Sequence, residues 1–400
     1  MPCLSRVLEK EIASQLSAYC LTRSIIPNEQ FGFRPRSSCE TALLTAINNW
    51  VGDIDRPGMM TGVLLIDLSK AFDNVNHAKL INDLEEIGCT PSSLAFFSSY
   101  LTNRMQRVTY EDKQSSWRNI ANGVPQGSCI SPTLFNIYMR NLPEVVHDPI
   151  YQFADDITNS TTANNIDEIK LTLTENYQQI KSFCLNREIN INTSKTQCIL
   201  LKLPSRKIDN KDLTLCLDNH IIDFSATVEL LGFTIDQHLT FKQHIEKNVK
   251  KCHGILGVIR KAKSALSTPL LKLCYTSLVR PHLEYCNLIF ANSSKTNLAK
   301  LDTIQKIASR IICDEPRDAH ADPLLMKLGL QKLGERRENK IIKEVRRILN
   351  NDCHPCLTNM FTVRSDGNIQ NNEKCRTTFG KKRFSYYACD IFNKMYDTLT

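Results

Sequence analysis

Two apolar runs that end in carboxylates constrain this chain more than any other feature. Val63-Leu64-Leu65-Ile66 leads directly into Asp67, and Tyr151-Gln152-Phe153-Ala154 leads into the consecutive pair Asp155-Asp156. Short apolar runs bounded by polar residues fit buried strands, so each carboxylate is expected at a strand end. Like charges set side by side raise the free energy unless a cation neutralises them or one carboxyl stays protonated. Three such carboxylates suggest a divalent-metal site, since hard cations take oxygen ligands. Two magnesium ions roughly 3.5–4 Å apart, clamping the attacking and leaving oxygens of an in-line displacement, are a sufficient occupant. The alternative is a solvated Asp-Asp turn, in keeping with the turn preference of aspartate.

The 400 residues exceed the size at which single hydrophobic cores stop growing, so two or three lobes are expected. A net charge of +8 suits a polyanionic partner without requiring one. Sixteen cysteines in a short secreted chain would suggest a disulfide framework. Here they lie scattered through a long chain whose opening residues lack the apolar core of a signal peptide, so reduced thiols inside a cell are expected. No run approaches the roughly 18 apolar residues of a membrane span.

Apolar spacing predicts helices over 4–24 and 39–51, and between them Ile26 to Arg34 is rich in turn formers, so a loop presenting Arg34 is expected. Residues 61–67 read as a strand, His77–Leu84 and Ser92–Leu101 as helices, and Val108–Trp117 as strand-like. Gly123-Val124-Pro125-Gln126-Gly127-Ser128 breaks both periodicities before a helix at about 131–140. Ile166, Ile169, Leu173, Tyr177, Ile180 and Cys184 recur at steps of three and four, which predicts a helix with one packed stripe. Short strands follow near 197–203 and 228–235, so helices resting on an antiparallel sheet are expected. Beyond Phe241 the pattern predicts helices over 241–262, 268–280, 297–313 and 333–349, a separate helical lobe. The first of these carries Lys242, Lys247, Lys250, Lys251 and Arg260, a positive face open to phosphates.

Five ordered segments carry a resemblance: Asp67-Leu68-Ser69-Lys70-Ala71-Phe72-Asp73, Gly123-Val124-Pro125-Gln126-Gly127-Ser128, Phe153-Ala154-Asp155-Asp156, Asn192-Thr193-Ser194-Lys195-Thr196 and Leu230-Leu231-Gly232. With these the chain resembles a reverse transcriptase, and more narrowly those of non-LTR retrotransposons of the LINE, Jockey or CR1 kind. The resemblance implies an α+β right-hand polymerase: partial fingers over 1–60, a palm of antiparallel sheet backed by helices over 61–235, and a helical thumb over 236–345. Residues 346–400 receive no fold.

The implied reaction is attack of a DNA primer 3′-hydroxyl on the α-phosphate of a dNTP, directed by an RNA template. Asp67 and Asp155 are implied as bridging metal ligands, Asp156 as a third, and the Leu68 carbonyl as a further oxygen donor. The ions are two Mg2+, with Mn2+ as a substitute. Phe72 is implied as the aromatic ring that excludes a 2′-hydroxyl, Gln126 and Gly127 as the segment against nucleotide and template, and Lys195 as the ammonium facing the departing pyrophosphate. Arg34 is implied to approach the triphosphate, a role that suits a planar permanent cation. Leu231 and Gly232 resemble a hairpin gripping the primer end. Cys353-His354-Pro355-Cys356, with Cys375 and Cys389, has spacings that match no compact zinc knuckle.

The chain starts in what resembles mid-fingers, so a truncated copy is expected, with nicking of target DNA supplied by an endonuclease in another domain or protein. The implied setting is the nucleus or a cytoplasmic ribonucleoprotein. Thr158-Asn159-Ser160 departs from the apolar return arm expected after the aspartates. Two other functions compete: a catalytically inactive RNA-binding remnant, and an RNA-dependent RNA polymerase, which the aromatic at Phe72 disfavours.

Overall fold

The computed structural model describes residues 3–208 and 213–397, so the final three residues of the expected tail lie outside the described residues. The protein is mixed α and β, and its chain divides into two compact units: residues 1–37, 62–198 and 208–224 form one, and residues 38–61, 199–207 and 225–400 the other.

A four-stranded sheet is the frame of the site. Its order is Gln197–Leu201, Met60–Ile66, Asp156–Ala163, Ile150–Phe153. The last two strands form an antiparallel hairpin in which Phe153 faces Asp156, leaving Ala154 and Asp155 as a two-residue turn. The helix Ile166–Asn186 buries Ile169, Leu173, Tyr177, Ile180 and Cys184 of the expected stripe, each at most 1 % exposed, while Ile166 at its start is half-buried. Full burial of one Leu or Ile side chain contributes about 1.5–3 kcal/mol, so this face accounts for much of the helix's stability.

The polar return arm has a physical answer. Thr158, Asn159, Ser160 and Thr161 are all buried in the strand after the aspartates. Asn176, on the helix, donates to Asn159 Oδ1 at 3.1 Å and to Asp148 at 2.8 Å, while Asn159 donates to the Pro149 carbonyl at 3.2 Å. Buried amides that meet partners avoid the desolvation cost that orphaned ones incur, so the departure is compatible with a packed sheet.

On the helix His77–Glu86, Asp83, almost fully buried, meets Arg140 at 2.7 Å and Arg187 at 2.8 Å, and the Arg187 guanidinium lies 4.6 Å from the centre of the Tyr138 ring. Removing one partner of such a group strands a buried charge. Asp83→Ala is therefore expected to cost roughly 3–5 kcal/mol. The denaturant midpoint reads this loss, and an unchanged midpoint would contradict it.

Val108–Trp117 is a folded-back ribbon: Arg104–Gln106 pairs with Arg118–Ile120, and Thr109–Tyr110 with Lys113–Gln114. The single strand-like reading missed its turn at Glu111, which has φ of +51°. A further hairpin, Thr214–Leu217 with His220–Asp223, carried no recognised sequence signal.

The second unit holds the helix Cys39–Ile54, capped by Ser38 accepting from the Thr41 N–H at 3.1 Å, together with most of the later helices. The expected helix over 268–280 is instead Thr268–Cys274 and Arg280–Glu284, joined by a wider π turn over Tyr275–Val279. Pro281 offers no N–H to continue the ladder, which explains the break.

The polar residues beyond 346, given no fold by their weak periodicity, form the hairpin Phe361–Val363 with Ile369–Asn371 and the helix Phe384–Asp397. Asp55, at the end of the first helix of this unit, fixes them by accepting from the Arg376 N–H at 2.6 Å and the Thr377 N–H at 2.9 Å. Burial acts to raise the Asp55 carboxyl, but the hydrogen bonds from Thr377, Arg376 and Gly380 outweigh it and hold the group below its ordinary value. Among the described residues no helix is long and apolar enough to cross a membrane.

Candidate active site

The strands ending at Ile66 and beginning at Asp156 are neighbours in the sheet, and this adjacency brings Asp67 together with the Asp155-Asp156 turn. The packing of protein around Asp156, then the charges of Asp155 and Asp67, push its carboxyl up to about 6. The side chain still reaches solvent. Asp156 thus feels the charges of both Asp155 and Asp67, the tension the sequence predicts for a cation site.

Among the described residues no three His, Cys, Asp or Glu side chains converge into a ready-made coordination cluster. The donor set nevertheless fits a hard divalent cation in chemical type: carboxylates, with Leu68 carrying a backbone carbonyl in the short strand after Asp67.

Lys195 places its Nζ 3.8 Å from Asp67 Oδ2, and at 68 % side-chain exposure it remains available to solvent. Its position follows from backbone pairing. Leu68 and Ser69 pair with Ile191 and Asn190, and the Asn192 N–H donates to the Asp67 carbonyl at 2.8 Å, so the turn Thr193–Lys195 begins beside the aspartate.

Phe72 stands on the turn Ala71–Asp73, entered through Lys70 at φ +48°. Its ring stacks on Phe135 at 4.4 Å between centroids and meets Phe33 edge-on at 6.4 Å, so two neighbours hold its plane. Gln126 lies next to it: its amide donates to Asp73 at 2.9 Å, and the Val124 N–H donates to the Phe72 carbonyl at 2.9 Å. Gly127 has φ of +81° and open space around it. Thus Asp67, Phe72, Gln126 and Lys195, separated in sequence, are tied by direct bonds to one short stretch of chain.

Arg34 is engaged elsewhere. It donates to the Pro27 carbonyl at 2.6 Å and to Asn28 at 2.9 Å, bracing its own loop. Its neighbours Gln30 and Gly32 hold the turn that carries Asp155, a role that reading the segment for Arg34 overlooked. Gln30 Oε1 accepts from the Gly32 N–H at 2.8 Å and the Ala154 N–H at 3.0 Å, and the backbone of Phe31 donates to Gln152 at 2.8 Å. Gly32 packs so closely that a Cβ built on it would run into the Ala154 nitrogen, and its carbonyl accepts from Asn136 at 2.8 Å. The available signal was the turn-rich Gln30-Phe31-Gly32, in which glycine permits close backbone approach.

In the other unit Leu231 and Gly232 form the two-residue turn of the hairpin Thr227–Leu230 with Phe233–Asp236. Both have positive φ, +51° and +74°, as the tight hairpin turn requires. Tyr285 donates its hydroxyl to the Leu231 carbonyl, securing that strained residue. On the helix Lys242–Ala262, Lys242, Lys247, Lys250 and Lys251 are all exposed, and Lys247 is also ion-paired with Glu229 at 2.6 Å. In Cys353-His354-Pro355-Cys356, whose spacings match no compact zinc knuckle, the His354 imidazole accepts from the Cys356 N–H and caps the turn Pro355–Leu357.

The family profile described as reverse transcriptase (RNA-dependent DNA polymerase) matches residues 1–235. The chain belongs to the reverse transcriptase family. It is 27 % identical to "Probable RNA-directed DNA polymerase from transposon BS" of Drosophila melanogaster, over 83 % of this chain and 37 % of that protein. It is also 25 % identical to the RNA-directed DNA polymerase from mobile element jockey of the same species, over 89 % of this chain and 39 % of the relative. The jockey counterpart of Drosophila funebris is 26 % identical, over 82 % and 37 %. The expected likeness to the jockey group is therefore borne out, and this reverse transcriptase-family chain spans under two-fifths of the length of these relatives. Among solved structures, apo telomerase from Candida Tropicalis has a TM-score of 0.43 at 11 % identity, covering 88 % of this chain and 55 % of that one, too slight a likeness to carry an argument.

Proposed function

We propose that this chain is the polymerising part of an RNA-directed DNA polymerase of a non-LTR retrotransposon, extending a DNA primer with dNTPs on an RNA template. The observation that carries the reading is the meeting of Asp67 with Asp155-Asp156 on adjacent strands, within a segment matching the family profile. In this reading residues 61–235 act as palm, the preceding segments as fingers and the helices after 236 as thumb. Arg34 would have to leave its loop carbonyls to reach a triphosphate.

Asp67, Asp155, Asp156 and the Leu68 carbonyl would hold the divalent ions. Bound there, the ions supply charge neutralisation at the reacting phosphate and favour loss of the 3′-hydroxyl proton. The remaining work falls to the chain itself. Phosphoryl transfer asks a protein for position and charge more than for covalent help. Lys195, beside Asp67, carries an ammonium for the negative charge that develops on the leaving pyrophosphate. Gln126, held by Asp73, presents an amide able to donate and accept. Phe72, fixed by stacking on Phe135, gives a rigid wall beneath the incoming sugar.

The decisive experiment is dNTP incorporation on an oligonucleotide-primed RNA template, with Asp155→Asn as control. Incorporation by the parent chain that disappears in the variant supports the reading. A parent chain that binds RNA without incorporating dNTPs is instead the inactive remnant.

The wall at Phe72 leads to a separate expectation. Phe72→Val opens the space a 2′-hydroxyl needs, so the rNTP:dNTP ratio of kcat/KM should rise roughly tenfold or more, as expected for relieving one steric clash. Single-nucleotide kinetics with both substrates measure it. Equal loss of both activities would mean that Phe72 serves only the packing around Phe135.

A further inference from the structure

The ribbon over residues 104–120 carries a surface that the chemistry above does not use. Its inner ladder aligns Gln106 with Arg118 and its outer ladder aligns Thr109 with Gln114, so the return strand holds one extra residue between them, an offset of the β-bulge kind. Past that offset the Arg107 guanidinium lies 4.5 Å from the centre of the Trp117 ring, and Tyr110 pairs across the strands with Lys113. Every residue from 105 to 119 is exposed. Val108 and Tyr110 are at least 70 % exposed, and Met105 and Trp117 more than half. A two-stranded ribbon standing alone is marginally stable in water, so outward display of these large side chains is not explained by folding.

Charge and position indicate the occupant. Arg104, Arg107, Lys113 and Arg118 outnumber Glu111 and Asp112, so aromatic faces alternate with cations along a locally positive ribbon. That alternation matches single-stranded nucleic acid, whose bases stack on rings while its phosphates meet cations. The ribbon is also tied to the candidate site. Arg104 donates to the Gly123 carbonyl at 3.0 Å, and the next residue, Val124, donates to the Phe72 carbonyl.

We propose that the ribbon is a stacking platform for unpaired template ahead of the active site. Trp117 and Tyr110 take bases, and Arg107, Lys113 and Arg118 face phosphates. The inference rests on the polymerase reading only in naming the bound strand as template.

The two tryptophans of the chain make it testable. Trp50 is buried at 1 % exposure and Trp117 is open, so emission changes on ligand binding report chiefly on Trp117. Titrating the full chain with an oligo(rA) of about twelve nucleotides, within the site sizes such surfaces show, should quench the emission. Trp117→Phe should remove the quenching, and Trp117→Ala and Tyr110→Ala should each weaken binding roughly tenfold, the loss of one stacked base. The thermal midpoint should stay at the parent value, because these side chains pack against little.

Emission unmoved by oligo(rA), or alanine variants that bind as tightly as the parent, would overturn the platform. The polymerase reading is judged separately by extension. A chain that extends primers while Trp117 emission stays unmoved keeps that reading and loses the platform, whereas quenching without extension does the reverse.

Discussion

Asp155→Asn and Asp67→Asn are each expected to remove primer extension, by roughly a thousandfold or more, while leaving template affinity near the parent value. The scale is that of deleting one preorganised electrostatic contact to a transition state, about a hundred- to a thousandfold, with loss of an ion ligand added. Asparagine keeps the size of aspartate and removes its charge, so the strand ends stay as they are. Because Asp67 and Asp155 both press on Asp156, either change also relieves the repulsion there, and neither variant should be less stable without ligand than the parent. Extension assays at saturating primer–template, beside a thermal melt, separate the two effects. A variant that extends at the parent rate sinks the site assignment, and one that melts early shows that the carboxylate had a structural role.

The second large effect is expected at Gly32, which touches no substrate in this reading. A methyl group there meets the Ala154 nitrogen and the Phe153 carbonyl carbon, backbone atoms that cannot swing away as a side chain would. Overpacking of this kind costs about 1–3 kcal/mol, and the displaced element is the turn that aims Asp155. Gly32→Ala should therefore lower the denaturant midpoint and reduce extension at least about a hundredfold, since misplacement of about 1 Å carries that penalty. Gly127→Ala is the control for stability alone. Gly127 has open space around it, so its variant meets the backbone strain of φ +81°, of order 1–2 kcal/mol, without overpacking. If Gly32→Ala melts and extends as the parent does, the close packing of Gly32 against the turn at Ala154 is unimportant to function.

Local pattern carried much of this protein. The stripe from Ile166 to Cys184, the helix Leu333–Leu349 and the run into Asp67 were readable because hydrophobic period and strand ends are properties of neighbouring residues. The carboxylates and the ordered motifs were readable as well, because like charges placed in sequence demand an explanation wherever they fold.

What the sequence could not decide were relations between distant segments. Thr158-Asn159-Ser160 looked unsuited to a core strand until Asn176 appeared opposite, since satisfaction of a buried amide depends on a partner 17 residues away. The guanidinium of Arg34 is held by Pro27 and Asn28 of its own loop, while Gln30 and Gly32 beside it grip the turn of Asp155, and the segment's turn-rich composition specified neither partner. Lys247 has an exposed ion-pair partner in Glu229, 18 residues earlier, which the helical pattern gave no sign of. The last fifty residues are only weakly periodic, and part of their anchoring comes from backbone N–H groups donated to Asp55, more than 300 residues earlier. The sequence by itself determined the carboxylates, the ordered motifs and the helical stripes. Only the tertiary structure decided which side chains lie beside them, because hydrogen bonds and close backbone approaches join residues that sequence spacing leaves unrelated.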